Sequence, residues 1–204
     1  MEQSGQESTG AGKTTQKELL NSLIDKYNGK LAFGVGHKDL HDEGYANIDI
    51  RDKEHIDLAL DVGKPLPFED NTISEILAES VLEHIHHNIF GVSPSWRLTN
   101  TIRVLTEWRR VLKPGGKLIL RIPNLVGVFS EYIAGRMTAT DFIGYIYGGG
   151  EYEENCHLAG FDTKIMGACL RAAKFKQWDF VDAHKYKHKL DETKSWEMGV
   201  IAIK

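Results

Sequence analysis

Apolar positions along this 204-residue chain recur in two rhythms. In residues 17–28 (KELLNSLIDKYN), Leu19, Leu20, Leu23, Ile24 and Tyr27 fall at helical steps, and Asn28-Gly29 stops the helix. Residues 30–35, 45–50 (YANIDI) and 56–62 (IDLALDV) are short apolar runs that predict three strands. Residues 73–79 (ISEILAE) mix both rhythms and predict a fourth strand in their middle. Residues 97–112 carry the clearest helical stripe, with Ile102, Leu105, Trp108 and Leu112 in line and Val104 and Val111 beside them. Lys113-Pro114-Gly115-Gly116 then breaks the chain, and residues 117–122 (KLILRI) predict a fifth strand. A helix over 163–173 and strands over 175–182 and 196–203 close the pattern.

Strands alternating with helices predict an α/β fold with a mostly parallel sheet and helices on both faces. Residues 123–160, rich in Gly and Tyr, predict an irregular insertion that serves as a lid or binding loop. Residues 1–16 are polar and predict a disordered tail, leaving 17–204 as one domain without internal repeats. That length is enough for a sizeable core.

Composition narrows the picture without redrawing it. Apolar residues make up 41% and charged residues 26%, as in ordinary soluble proteins. The 25 basic residues against 29 acidic ones leave a charge of −4, which disfavours bulk binding to nucleic acid or anionic membrane. No apolar run reaches the ~20 residues of a membrane span, and the first residues lack a signal-peptide pattern. Cys156 and Cys169 are too few for a disulfide framework, so a reducing, cytoplasmic setting is expected.

The first strand runs into Gly34-Val35-Gly36, and the second ends on Asp49. Glycines there let a ligand approach bare backbone, and an acid at the end of the next strand can accept hydrogen bonds from ribose hydroxyls. A dinucleotide site would carry a third glycine where Asp39 stands, and a carboxylate there opposes a pyrophosphate. The motif therefore argues against NAD and FAD and suits a nucleoside without phosphates, such as S-adenosylmethionine. Gly10-Ala11-Gly12-Lys13-Thr14-Thr15 imitates the end of a P-loop, but Glu7 replaces the required glycine and no strand precedes it.

Five pieces in order then make the chain resemble a class I S-adenosylmethionine-dependent methyltransferase, across about residues 30–182. They are Phe33-Gly34-Val35-Gly36, residues 44–49, residues 60–71, Ser80-Val81-Leu82-Glu83-His84, and the helix–turn–strand from Trp108 to Leu118. The resemblance is greatest to small methyltransferase-like proteins, several associated with glycan or cell-surface biosynthesis. It implies a Rossmann-like, doubly wound sheet of seven strands with an antiparallel last strand. It further implies that Gly34 and Gly36 approach the methionine part of the cofactor and that Asp49 holds the ribose. Asp61 and Val62 would meet the adenine, while Glu79 and Ser80 would contact the methionine moiety or the acceptor. His37-Lys38 departs from the small residue or third glycine often found there.

Methyl transfer to a hydroxyl or amine needs alignment and often a base, for which histidine is suited. His157, in Asn155-Cys156-His157-Leu158-Ala159-Gly160-Phe161, is the candidate catalytic residue, as general base or as ligand of the acceptor. His84 is expected to pack or hydrogen-bond near the cofactor. His84 and His87 are three residues apart, but no third ligand is evident, and Glu83 is expected to point elsewhere around a helix, so no metal is expected. The run His184–Lys189 reads as a solvated strand end or hairpin, with a patch for an anionic substrate or nucleic acid as the alternative. The expected function is methyl transfer from S-adenosylmethionine, with S-adenosylhomocysteine as product, to a small-molecule or sugar (glycan) acceptor. A non-catalytic cofactor-binding scaffold is the alternative. A protein or nucleic-acid methyltransferase is disfavoured, since the chain lacks the Asn/Asp-Pro-Pro-Tyr/Phe motif of amino-methylating nucleic-acid enzymes. The oligomeric state is left open.

Overall fold

A computed structural model describes residues 15–85, 99–181 and 196–204. The P-loop-like stretch up to Thr14, His86, His87 and the run His184–Lys189 lie outside the described residues. Seven strands form one sheet in the order β3-β2-β1-β4-β5-β7-β6. They are β1 (Lys30–Phe33), β2 (Ala46–Asp49), β3 (Leu58–Ala59), β4 (Ile73–Glu79), β5 (Leu112–Pro123), β6 (Gln177–Val181) and β7 (Glu197–Ile203). The pairs β1–β2, β1–β4, β2–β3 and β4–β5 are parallel, whereas β7 runs antiparallel between β5 and β6. The chain winds outward from β1 to β3 and then resumes at β4 on β1's other side. That reversal leaves a crevice at the carboxyl ends of β1 and β4, where ligands of open α/β sheets bind.

Alternate residues of the central strands feed two apolar clusters. Leu31, Phe33, Ile76, Ala78, Leu118 and Leu120 join the larger one. Helices α1 (Gln16–Lys26), α2 (Thr99–Val111) and α5 (Thr163–Ala172) pack against it through Leu20, Leu23, Trp108, Met166 and Leu170. Ala32, Leu77 and Ile119 face the other way and meet Val35, Leu40, Tyr45 and Ile56. The β1–β2 crossover that supplies three of these residues holds only a single 3-10 turn, His41–Glu43. A loop therefore closes this cluster at a place where α/β sheets usually carry a helix.

Local chemistry accounts for the element ends. Thr15 and Glu18 form a capping box that starts α1 at Gln16, one residue earlier than the apolar pattern alone indicates. The Lys113–Gly116 turn survives inside β5 as a register shift, with Ile73 opposite Leu112 but Glu75 opposite Lys117. Asp162 caps α5, its Oδ1 accepting from Ile165 N at 2.7 Å. Asp162→Ala is expected to cost about 1 kcal/mol, read as a lower urea midpoint at unchanged slope.

Residues 123–160 correct the expectation of an irregular insertion. They hold two helices, α3 (Leu125–Ile133) and α4 (Ala139–Tyr147), capped by Asn124 and Thr138. Their apolar residues are dense rather than striped, with Phe142 stacked on Tyr132 and edge-on to Phe129. That density hides the helical period. No helix among the described residues is long and apolar enough to cross a membrane.

Candidate functional site

The crevice opens into a cavity of about 710 Å³, within the range of small-ligand sites. Gly34, Asp49, Asp61, Val62 and Ser80 all line it, together with His37, Arg51, His84, Tyr152 and Asn155. Five of the expected cofactor residues thus converge from the ends of four strands. Gly36 stands one step behind this wall, and Glu79 does not line it.

Each wall residue is held for a reason. Gly34 has φ +74°, and a Cβ there would run into Val81 Cγ2. Only glycine keeps that turn open. The Gly36 N–H donates to Asp49 Oδ2 at 2.7 Å, tying the glycine turn to the end of β2. Asp49 is buried, and its Oδ1 accepts from Arg51 N at 2.9 Å and Arg51 Nε at 3.2 Å. The Arg51 guanidinium lies 4.4 Å from the Tyr152 ring centroid and so bridges the acid to the far side of the cavity. Ser80 has φ +50°, an uncommon conformation for serine, and its N–H donates to Arg121 O at 2.8 Å. Glu79, one residue earlier, is buried and forms an ion pair with Lys38.

The loop after β3 is fastened from below by α2. Trp108 Nε1 donates to Val62 O at 3.0 Å, and Arg103 donates to Gly63 O at 2.6 Å. Asp61 Oδ1 caps the same loop by accepting from Gly63 N at 2.9 Å. This leaves Asp61 partly exposed on the wall and Val62 packed beside it. Asp39 lies away from the cavity wall, where it accepts from His41 N and Asn47 Nδ2. The feature that disfavours a pyrophosphate is therefore the missing helix after Gly36, since such sites aim a helix N-terminus at the phosphates.

At the cavity's other end, Val81 leads into a 3-10 turn, Leu82–His84. The tighter turn corrects the expectation for Glu83, because it brings Glu83, His84 and the distant His157 together. One carboxylate oxygen of Glu83 and one ring nitrogen of each histidine lie within 4.8 Å of one another. The rings of His84 and His157 meet edge-on at 4.7 Å. Leu158 N and Ala159 N both donate to Glu83 O, which stitches the His157 segment onto this turn. His84 Nδ1 donates to Cys156 O at 3.2 Å, and His157 Nδ1 donates to Tyr145 O at 2.9 Å. Since a carbonyl only accepts, each Nε2 keeps its lone pair.

Burial lowers the pKa of both histidines, and His157 lowers that of His84 further. Both oxygens of Glu83 are buried without a hydrogen-bond partner. Burial lifts the Glu83 carboxyl to about 8. His84 lies on the wall and His157 stands behind it, so the expected catalytic residue is adjacent to the cavity rather than on its surface. Arg51 and Tyr152 are not singled out from sequence, and Glu83 is named there only as a residue facing away. Arg51, two residues after the strand-end acid, is the one whose position carried a usable signal.

Residues 38–120 match a family model described as a methyltransferase domain. An uncharacterised protein of Methanocaldococcus jannaschii is 37% identical over 68 residues, which is 33% of this chain and 24% of that protein. The chain thus spans about a quarter of the length of that curated relative. The fold is similar to that of a SAM-dependent methyltransferase from Archaeoglobus fulgidus, with TM-score 0.54, 13% identity and 91% of each chain covered. A SAM-dependent methyltransferase from Methanosarcina mazei is similar at TM-score 0.50 and 16% identity, with 86% of this chain and 91% of that one covered.

Proposed function

We propose that this chain is a class I S-adenosylmethionine-dependent methyltransferase, that it methylates a small-molecule or sugar acceptor, and that His157 serves the acceptor's proton through His84, which stands on the cavity wall. The observation that carries this reading is one cavity bordered by Gly34, Asp49, Asp61, Val62 and Ser80 at one end and His84 at the other. The wall fits the cofactor. Gly34 leaves room for backbone approach, Asp49 offers a buried acceptor for ribose hydroxyls, and Val62 gives an apolar face beside the Asp61 carboxylate. When bound, S-adenosylmethionine supplies a sulfonium methyl group already activated for displacement, and S-adenosylhomocysteine remains.

The chain has three remaining tasks: to align an acceptor, exclude water and remove a proton. Tyr152, Glu154, Asn155 and Leu158 from residues 123–160 line the cavity and form its acceptor-side wall. Arg51 shares the Asp49 carboxylate with an incoming ribose and rests on the Tyr152 ring at the same time. Glu79 acts indirectly by holding Lys38 beneath the glycine turn. His157 braces His84 where the acceptor enters. A cavity of this size and a net charge of −4 favour a small acceptor over nucleic acid. Both cysteines are free thiols, which supports a reducing, cytoplasmic setting.

Calorimetry with S-adenosylhomocysteine tests the reading directly. The native chain is expected to bind, and Asp49→Ala to weaken binding about 10- to 100-fold, the loss of one or two hydrogen bonds to a charged group. Failure of the native chain to bind either cofactor form at millimolar concentration would sink it, as would an unchanged affinity in the variant.

A further inference from the structure

We propose that Glu83, His84 and His157 are the protein ligands of a divalent transition-metal ion of the zinc type at the acceptor end of the cavity. Their donor atoms already lie within 4.8 Å of one another. Bonds of about 2.1 Å to a tetrahedral ion place such atoms about 3.4 Å apart, a distance that small side-chain rotations reach. Two neutral imidazoles and one carboxylate suit zinc, cobalt, manganese or iron, whereas magnesium and calcium prefer all-oxygen shells.

Three independent features of the cluster favour an ion. Glu83 is buried to 1% exposure, and neither carboxylate oxygen has a partner. A buried group left this way is costly, and a cation relieves the cost. Each histidine donates Nδ1–H to a backbone carbonyl, Cys156 O or Tyr145 O. Outer-shell bonds of this kind fix the tautomer and aim Nε2 at a metal. Finally, His84 lines the cavity, so an ion held by the three residues would lie next to the acceptor space. Three protein ligands with one open position is the pattern of catalytic rather than structural zinc.

This inference rests on the methyltransferase reading and specifies how His157 would act. A hydroxyl acceptor in the open position would lose its proton to bulk solvent and keep the electron pair on oxygen, stabilised by the ion. No other bond is made or broken at the metal, and nothing is oxidised or reduced. His157 would then work as a ligand rather than as a free base.

The test uses the full chain after chelation and dialysis, titrated at neutral pH with zinc alone in a calorimeter. A parallel titration with cobalt is followed by visible absorption. One zinc per chain is expected, with a cobalt spectrum of a low-coordinate site. Glu83→Gln and His157→Ala are each expected to weaken zinc binding more than about 100-fold, beyond the usual loss of an outer-shell partner. Far-UV circular dichroism and S-adenosylhomocysteine affinity on the same samples verify the fold. The proposal is overturned if a chain that binds S-adenosylhomocysteine takes up neither metal stoichiometrically. It is equally overturned if both variants bind zinc as tightly as the native chain, which would assign the metal to other histidines. Metal uptake without cofactor binding would retain the ion site and refute the cofactor reading instead.

Discussion

His157→Ala is expected to lower the rate of methyl transfer by about 100- to 10,000-fold while leaving S-adenosylhomocysteine affinity essentially unchanged. The separation follows from position. His157 lies behind His84 at 4.7 Å, off the cavity wall, with its hydrogen bonds going to Tyr145 O and Tyr147 O. Removing it deprives the acceptor end of a nitrogen and leaves His84 without the ring that braces it. Single-turnover measurements with an acceptor identified from a panel of hydroxylated small molecules and sugars would read the rate, and calorimetry the affinity. A parallel drop in both would instead make His157 part of the cofactor wall, and an unchanged rate would remove it from the chemistry.

Trp108→Ala carries the largest expected cost in stability, about 3–5 kcal/mol, a large share of the roughly 5–15 kcal/mol that holds a domain folded. The indole is fully buried in α2, edge-on to Phe33 of β1 at 5.2 Å. Its removal opens a void between the helix and the central strand. The ring also has a second duty, because Nε1 donates to Val62 O at 3.0 Å. Trp108→Phe separates the two. It keeps most of the packing, loses about 1 kcal/mol of hydrogen bonding, and releases the Val62 loop from below. The expected result is a modest fall in the urea midpoint together with weaker S-adenosylhomocysteine binding. If the Phe variant lost stability but kept full affinity, Trp108 would be a core residue only.

Most of the sheet was legible because its strands are short apolar runs separated by strong punctuation. Asn28-Gly29 and Lys113-Pro114-Gly115-Gly116 mark ends that the structure keeps, even where the second becomes a shift of register inside β5. The cofactor wall was legible for the same reason, since a parallel strand delivers its last residue to a predictable edge. Gly34, Asp49, Asp61, Val62 and Ser80 each follow or end a strand, so position along the chain translated into position in space. Glu79 departs from that logic by one residue. Successive strand residues point to opposite faces, so Ser80 reaches the cavity and Glu79 turns to Lys38.

Three things were hidden, each for a physical reason. Helices α3 and α4 carry too many apolar residues for a stripe to stand out, and their aromatic rings pack on one another across the pair. A helical turn of 3.6 residues would face Glu83 away, whereas the 3-10 turn places it with His84 and His157. His157 lies 73 positions from His84 in the chain, and only the pairing of Leu158 N and Ala159 N with Glu83 O brings the two rings together. Contacts made by backbone hydrogen bonds between loops leave no mark in residue types.

The loop that replaces a helix between β1 and β2 has a wider consequence. Residues 34–45 begin as the floor of the ligand cavity at Gly34 and end as the cover over Leu77 and Ile119, through Leu40 and Tyr45. In a sheet with a helix there, recognition and core protection would belong to separate segments and could change independently. Here they share one stretch of backbone. A substitution in it is felt both as an altered ligand surface and as an altered roof, and selection on either acts on the other. The loop is thus a point of pleiotropy in the fold, and its residues are less free to drift than their surface location suggests.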